Sequence, residues 1–447
     1  MIIKLIKYTV VYSFYVLPIL AFSQNNINNL LTQSSWDTLF PNRAGVGDIV
    51  PHPQIGTTDF YKYSNLITAV DEMGNYSIEI RRKIGVSGEL ITISRKDTNY
   101  SYIYSNVDNV WHNSSVQEDT TIVDFANFVS LSSDTNNKRE LAAFLANISK
   151  ETTGGWDTVG AGAYGDYVNW GLHYVHEIGY SLPDSAGTYS IANAQYPPNP
   201  LQGYYGRGPI QLSWNYNYGA FSKFLFNDIY VLIDNPSLVQ QDGILAFKSA
   251  IWFWMMPQYP KPSCHQIMHE LWIPQQGCYA QAKMYKKGFA HTNNIINGGL
   301  ECRASSTSEY TDKVFLRSEL YKYYLSKLGF SNSQINLEDS VDYTTTCYDN
   351  ASSAMENYSN CNQFTLIAQN LNTFKVYPNP TKTDITISSN ELINEVEIIN
   401  SVGQKVISNK PNLQTATLNL EELPSGLYIL IIKSSKSNST IKLIKQG

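Results

Sequence analysis

Charge is scarce in this chain. Asp, Glu, Lys and Arg make up only 16% of 447 residues, the formal net charge is -6, and no dense basic stripe occurs. That absence excludes the electrostatic footprint of a nucleic-acid binder. Long apolar runs are also missing. The one candidate, Tyr8 to Leu20, falls short of the about 20 residues a membrane-spanning helix needs. Cysteine is limited to five, at positions 264, 278, 302, 347 and 361, and no Cys-x-x-Cys pair exists, so the common zinc frameworks have no foothold. What the chain does have is length, enough for two or three domains.

The apolar run has a job of its own. Lys4 and Lys7 precede it and the small-residue stretch Ala21-Phe22-Ser23 follows, the pattern of a secretory signal ending before Gln24. An exported protein is permitted disulfides, and five cysteines leave one thiol over. Cys264 with Cys278 is a plausible local bridge, and Cys302 with Cys347 or Cys361 another. The 32 Tyr and 8 Trp suit either aromatic platforms for sugar rings or a tyrosine-rich core.

Periodicity divides the rest. Tyr76 to Ile80 and Leu90 to Ser94 alternate apolar and polar around a turn at Gly85 to Gly88, predicting a β-hairpin inserted into a helical domain. From Asp134 to Leu328 helix signals dominate. Asp134 or Asn136 is placed to cap a helix whose stripe is Leu141, Phe144, Leu145 and Ile148. Phe247 to Met256 reads as a buried helix ended by Pro257, and Val314 to Leu328 as a long one. Asp339 to Gln369 is a polar linker. Short strands then follow at Ile385 to Ser388, Val396 to Ile399, Ala416 to Leu420, Tyr428 to Ile432 and Thr440 to Ile444, the pattern of a small β-sandwich.

Two carboxylates stand out. Glu151 ends the capped helix, half desolvated as suits a proton donor, before a turn at Gly154-Gly155. Glu177 follows in Gly171-Leu-His-Tyr-Val-His-Glu-Ile-Gly179. Hydrolysis of a glycosidic bond needs such a pair, one to protonate the leaving oxygen and one to activate water or attack. His173 and His176 beside Glu177 invite a zinc reading, but the order is not His-Glu-x-x-His. His265 and His269 have i, i+4 spacing with few carboxylates nearby in sequence, so both pairs read as structural. The loop Tyr204 to Tyr218 offers Gln211, Ser213, Tyr216 and Asn217, groups suited to sugar hydroxyls or a held water.

These segments resemble glycoside hydrolase family 19, the chitinases. The resemblance runs through Phe40-Pro-Asn-Arg43, Phe60-Tyr-Lys-Tyr63, Glu140-Leu-Ala-Ala-Phe-Leu145, Glu151-Thr-Thr-Gly-Gly-Trp156 and the Tyr-Gly-Arg-Gly-Pro loop. It continues in Trp252-Phe-Trp-Met255, Pro260-Lys-Pro262 and Asn294-Ile-Ile-Asn-Gly-Gly-Leu-Glu-Cys302. It implies a mainly α, lysozyme-like catalytic domain of two lobes that cleaves β-1,4-linked N-acetylglucosamine with inversion. Glu151 is then the general acid and Glu177 the general base, with Ser213 holding the attacking water. Thr153, Tyr196, Gln211, Tyr216, Asn217, Lys261 and Asn297 fall where the family contacts sugar, and Glu301 and Arg317 where a charge network supports the acid. No metal or organic cofactor is implied, and the partners are chitin or its oligosaccharides, met as a monomer. The tail resembles the C-terminal sorting domain of the type IX secretion system through Tyr377-Pro-Asn-Pro380, Asn400-Ser-Val-Gly403, Leu423-Pro-Ser-Gly-Leu-Tyr428 and Lys442 to Lys445.

The resulting layout is a signal at 1–23, a catalytic domain at 24–338, a linker at 339–370 and a small all-β sorting domain at 371–447, secreted or held at the cell surface. Two positions depart from the family pattern. Lys150 stands where His is usual, and a cation there opposes proton donation unless it faces solvent, so a shifted acidic limb of the pH profile is expected at most. Tyr196 replaces a usual Trp, which predicts altered sugar stacking. The alternative readings are a peptidoglycan-cleaving muramidase of the same family and a chitin-binding protein without activity.

Overall fold

The computed structural model describes residues 27–43, 59–83, 86–153, 168–258, 261–271, 287–302, 308–340, 343–347, 374–400, 404–434 and 438–446. The expected signal at 1–23, the Gly154-Gly155 turn, Cys278 and Cys361 lie outside them. The chain folds as two units, Met1–Asn362 and Gln363–Gly447. Among the described residues no helix is long and apolar enough to cross a membrane.

The first unit is mainly helical. Its Gly243–Met255 helix is apolar apart from Lys248 and Ser249 and buried along most of its length, started by Asp242, whose carboxylate accepts from the amides of Ile244 and Leu245. It packs on the Tyr63–Met73 helix. The Asp134–Glu151 helix buries the anticipated stripe of Leu141, Phe144, Leu145 and Ile148. Its cap, however, is Ser133 and not Asp134 or Asn136: the Ser133 hydroxyl accepts from the Asn136 amide at 3.3 Å. Asp134 thereby becomes the first helical residue, where a carboxylate suits the dipole. Along this helix lies Ser308–Lys327, joined to it by a 2.6 Å hydrogen bond between the hydroxyls of Ser149 and Tyr324.

In place of a lone hairpin the unit holds a four-stranded antiparallel sheet. Its strands are β1 (Tyr76–Lys83), β2 (Leu90–Arg95), β3 (Tyr100–Ser105) and β4 (Glu118–Asp124), in the order β3-β2-β1-β4. Ile78 stands between Ile93 and Val123, so one face closes on the helical core. β4 was illegible because Val123 is its only fully buried residue.

The expected linker is partly built into this unit. Thr344 exchanges backbone hydrogen bonds with Lys287 and Ala290, Thr345 meets Ser318, and Cys347 is bonded to Cys302. The Cys264–Cys278 bridge is not formed: Cys264 is a buried free thiol.

The second unit is all β: β5 (Phe374–Tyr377), β6 (Asp384–Ile399), β7 (Lys405–Asn409), β8 (Leu413–Asn419), β9 (Gly426–Ser434) and β10 (Asn438–Lys445). The segments 385–388 and 396–399, expected as separate strands, are one strand, β6. Its first half pairs with β5 and β8, and its second half with β7 and β9. Both halves point Ile385, Ile387, Val396 and Ile398 into one core with Leu430 and Ile432. β7 gave no sequence signal because four of its five residues are exposed.

Candidate active site

Glu151 ends its helix inside a cluster of charge. Arg317, on the facing helix, donates to Glu151 through Nη2 and to the wholly buried Glu301 through Nε at 2.8 Å and Nη2 at 3.0 Å. Its Nη1 donates to Asn147 Oδ1 at 2.8 Å, one helical turn before Glu151. Burial alone would push the Glu301 carboxyl up, but Arg317 and Lys150 outweigh it and hold it well below the usual range. Arg317 in turn stays protonated against burial because two carboxylates face it. Lys150 does not face solvent: only 12% of its side chain is exposed, and Nζ lies 3.3 Å from Glu301 and 3.7 Å from Glu151. Two cations therefore meet two carboxylates.

A buried residue beside the acid ties it to the second carboxylate. The Thr152 hydroxyl donates to Ile148 O at 2.7 Å, ending the helix, and accepts from Leu172 N at 2.7 Å. Thr152 O accepts from Tyr174 N at 2.9 Å. Three residues on, Glu177 pairs with the glycine loop: Glu177 N donates to Gly206 O at 2.9 Å, and Gly208 N to Val175 O at 2.7 Å. The Glu177 carboxylate accepts from Tyr189 Oη at 2.7 Å and from Gly206 N at 3.2 Å. Both donors are neutral, in contrast to the cations around Glu151.

The loop itself is held by Arg207, which is completely buried. Its Nε donates to Gln240 at 2.7 Å, and its Nη1 to Gly203 O, Tyr205 O and the Tyr218 hydroxyl at 3.0, 3.2 and 2.9 Å. The guanidinium lies 3.7 Å from the Tyr205 ring centroid. No carboxylate pairs with it among the described residues, so backbone carbonyls and a π face replace the lost hydration. Gly208 turns the chain at φ +73°, and Gln211 and Trp214 also take positive φ, +51° and +74°. Such backbone strain in residues with side chains is typical of functional loops. The Asn215–Phe226 helix starts there. It leaves Gln211, Ser213, Tyr216 and Asn217 half-buried on one short run, with the Ser213 hydroxyl donating to Gln211 O at 2.9 Å.

The other anticipated residues divide. Thr153 has a buried hydroxyl with no partner among the described residues. Lys261 donates to Asn294 O at 2.9 Å. Asn297 sits at a kink, φ -145°, and gives its amide to Glu301 at 2.9 Å, joining the charge cluster. Tyr196 is only 8% exposed, its hydroxyl accepts from Gln195 at 3.0 Å, and its ring lies against Gly219. Its ring is thus largely covered by the Asn215–Phe226 helix. His173 and His176 each place Nδ1 3.1 Å from a backbone carbonyl, of Asn42 and Glu177. Asn147, Thr152, Tyr189 and Asn215 were missed by sequence reasoning, although Thr152 adjoins Glu151 and Asn147 precedes it by one turn.

One group among the described residues has the composition of a metal site: Glu140, His265 and His269, all buried. The sequence set this histidine pair apart from carboxylates, but the fold brings one between them. Glu140 Oε1 faces His265 Nδ1 at 2.7 Å and accepts from Trp254 Nε1 at 3.0 Å. Oε2 faces His269 Nε2 at 2.8 Å and accepts from Val129 N at 2.7 Å. Four hydrogen-bonding partners fill both oxygens, and the contacts are hydrogen-bond lengths, so the trio fits a buried structural clasp and not a cation. Burial alone would raise the Glu140 carboxyl, but the two imidazoles hold it well below its usual range.

Residues 115–338 match the profile of the family described as chitinase class I. The chain belongs to that family, glycoside hydrolase family 19. Residues 375–446 of the same chitinase-family chain match a secretion system C-terminal sorting domain. Similar curated proteins include an endochitinase of Persea americana, 44% identical over 207 residues, covering 46% of this chain and 58% of the relative. Chitinase 9 of Oryza sativa subsp. japonica is 41% identical over 210 residues, covering 47% and 58%. The chain thus spans under two thirds of the length of these relatives. A solved class IV chitinase from Zea mays is 28% identical, with 46% of this chain and 77% of that one covered and a TM-score of 0.32.

Proposed function

We propose that this chain is an exported endochitinase, cutting β-1,4 links between N-acetylglucosamine units by a single inverting displacement. Glu151 protonates the leaving oxygen while Glu177 takes a proton from water, and Ser213 holds that water. Gln211, Tyr216, Asn217, Lys261 and Thr153 contact the sugars in a cleft between two lobes. The sorting tail hands the protein to the type IX machinery.

The contrast between the two carboxylates carries this reading. Glu151 shares Arg317 with Glu301, so a proton arriving on Glu151 leaves the guanidinium still paired. Among the described residues Glu177 accepts from a hydroxyl and an amide, which aim it while leaving lone pairs for water. An inverting enzyme needs these two separate roles, with the carboxyls about 6.5–9.5 Å apart to admit the water.

The test is hydrolysis of a soluble N-acetylglucosamine hexamer by the wild type, Glu151→Gln and Glu177→Gln, with the anomer of the first product read by NMR. The expected outcome is an α-anomer from wild type and a loss of at least about 100-fold in kcat for each variant. A β-anomer, or a fully active Glu151→Gln, would overturn the assignment. Bacterial sacculi serve as the control substrate.

A further inference from the structure

We infer that Tyr189 is a positioning residue for Glu177, fixed in turn by Asn215, so that the general base is aimed from the same helix end that contacts the sugar. The inference rests on the proposed reading of Glu177 as the base.

Tyr189 belongs to no motif that singled out the other site residues, yet it makes the shorter of the two hydrogen bonds received by the Glu177 carboxylate. Burial, and then the bond to Glu177, push the Tyr189 hydroxyl well above its ordinary range, so it remains a donor throughout the working range. Its ring is wedged edge-on against Trp214, with centroids 5.2 Å apart, and against Tyr180 at 5.6 Å. Its backbone takes φ +52°, a conformation that costs a side-chain-bearing residue about 1–3 kcal/mol and persists only where its surroundings impose it.

What imposes it is Asn215. This wholly buried side chain makes three hydrogen bonds to the strap that carries Tyr189, using both of its N–H donors and its oxygen. Asn215 Oδ1 accepts from Ile191 N at 3.0 Å, and Nδ2 donates to Ile191 O at 3.1 Å and to Tyr196 O at 2.8 Å. Asn215 N donates to Tyr189 O at 3.2 Å. Asn215 also opens the Asn215–Phe226 helix, and the next two residues are Tyr216 and Asn217. Sugar contacts at Tyr216 and Asn217 and the donor to Glu177 are therefore anchored to one rigid point. A carboxylate held by a single backbone amide would be free to rotate, and displacement of about 1 Å costs on the order of 100-fold in rate.

Tyr189→Phe keeps the ring and deletes only the hydroxyl, so it isolates the effect on Glu177. With the hexamer substrate, kcat falls about 10- to 100-fold and KM stays within about twofold, because Tyr189 touches the base and not the sugar. The acidic limb of kcat/KM moves to higher pH, since the lost donor favoured the ionised carboxylate. A purely structural tyrosine would change the melting temperature and leave that limb in place. Glu177→Gln is measured alongside. If Glu177→Gln is inactive while Tyr189→Phe matches wild type in kcat and pH profile, the positioning role is overturned and the base assignment stands. A rise in KM alone overturns the role as well, by making Tyr189 a sugar contact. If Glu177→Gln itself keeps full activity, the reading beneath the inference fails first.

Discussion

Lys150 stands where two carboxylates compete for one ammonium. With Glu151 ionised, the cluster of Lys150, Arg317, Glu301 and Glu151 is balanced; with Glu151 protonated it carries one excess positive charge. Lys150 and Arg317 together hold the buried Glu301 carboxyl below its usual range. Lys150→Gln leaves that task to Arg317 alone, so the loss of stability on acidification should begin at higher pH than in the wild type. Thermal melts of the purified variant over a pH series check this. The sequence showed that a cation adjoined Glu151 but not where it pointed, because its partner Glu301 lies 151 residues away. Tyr189 was hidden for a similar reason: a lone tyrosine among 32 carries no signal until the fold sets it against Glu177.

The Asn215–Phe226 helix couples the site to the strap behind it, and Gly219 sets how closely the two approach. A Cβ at Gly219 would lie 2.5 Å from Tyr196 Cδ1 and 2.8 Å from its Cβ. Gly219→Ala should push the helix off the strap at a cost of about 1–3 kcal/mol, and raise KM for the hexamer several-fold as Tyr216 and Asn217 move. Melting curves and initial rates read the two effects separately. Unchanged KM would show that helix and strap move independently. At this scale the sequence was most readable where burial is one-sided and periodic, as in the Asp134–Glu151 stripe. It was least readable in strands such as β4 and β7, whose side chains are mostly outside any core. β6 misled for the opposite reason: two apolar stretches looked like two strands because one strand turns between two sets of partners.

Across the whole molecule, Glu140 and Glu301 are buried carboxylates held below their usual range by histidine and by Arg317 with Lys150. Their unfolded values are about 4.3. A depressed carboxylate contributes stability that is present above its unfolded value and is lost as pH falls toward its folded one. The melting temperature should therefore fall steeply below about pH 4.3. Glu140→Gln should lower stability at pH 7 by about 3–5 kcal/mol, by leaving buried donors without their acceptor, and flatten the acid slope. Thermal melts across pH 3 to 7, pH values chosen to be about one unit or more either side of the unfolded value, measure both. The change from a mainly helical region to an all-β tail could be read from the sequence. The reach of the first unit through Cys347 could not, since it depends on which cysteine Cys302 finds. That bond has a bearing on timing. Cys302 directly follows Glu301, and its link to Cys347 closes a stretch of chain that contains Arg317. Closing a loop of 45 residues stabilises by about 4 kcal/mol in the chain-entropy picture. With both thiols reduced that closure is absent, and the Arg317 guanidinium keeps its place through helix packing and its bonds to Asn147 and Glu301. The disulfide is a tether: it shortens the search by which the helix carrying Arg317 meets the helix that ends at Glu151.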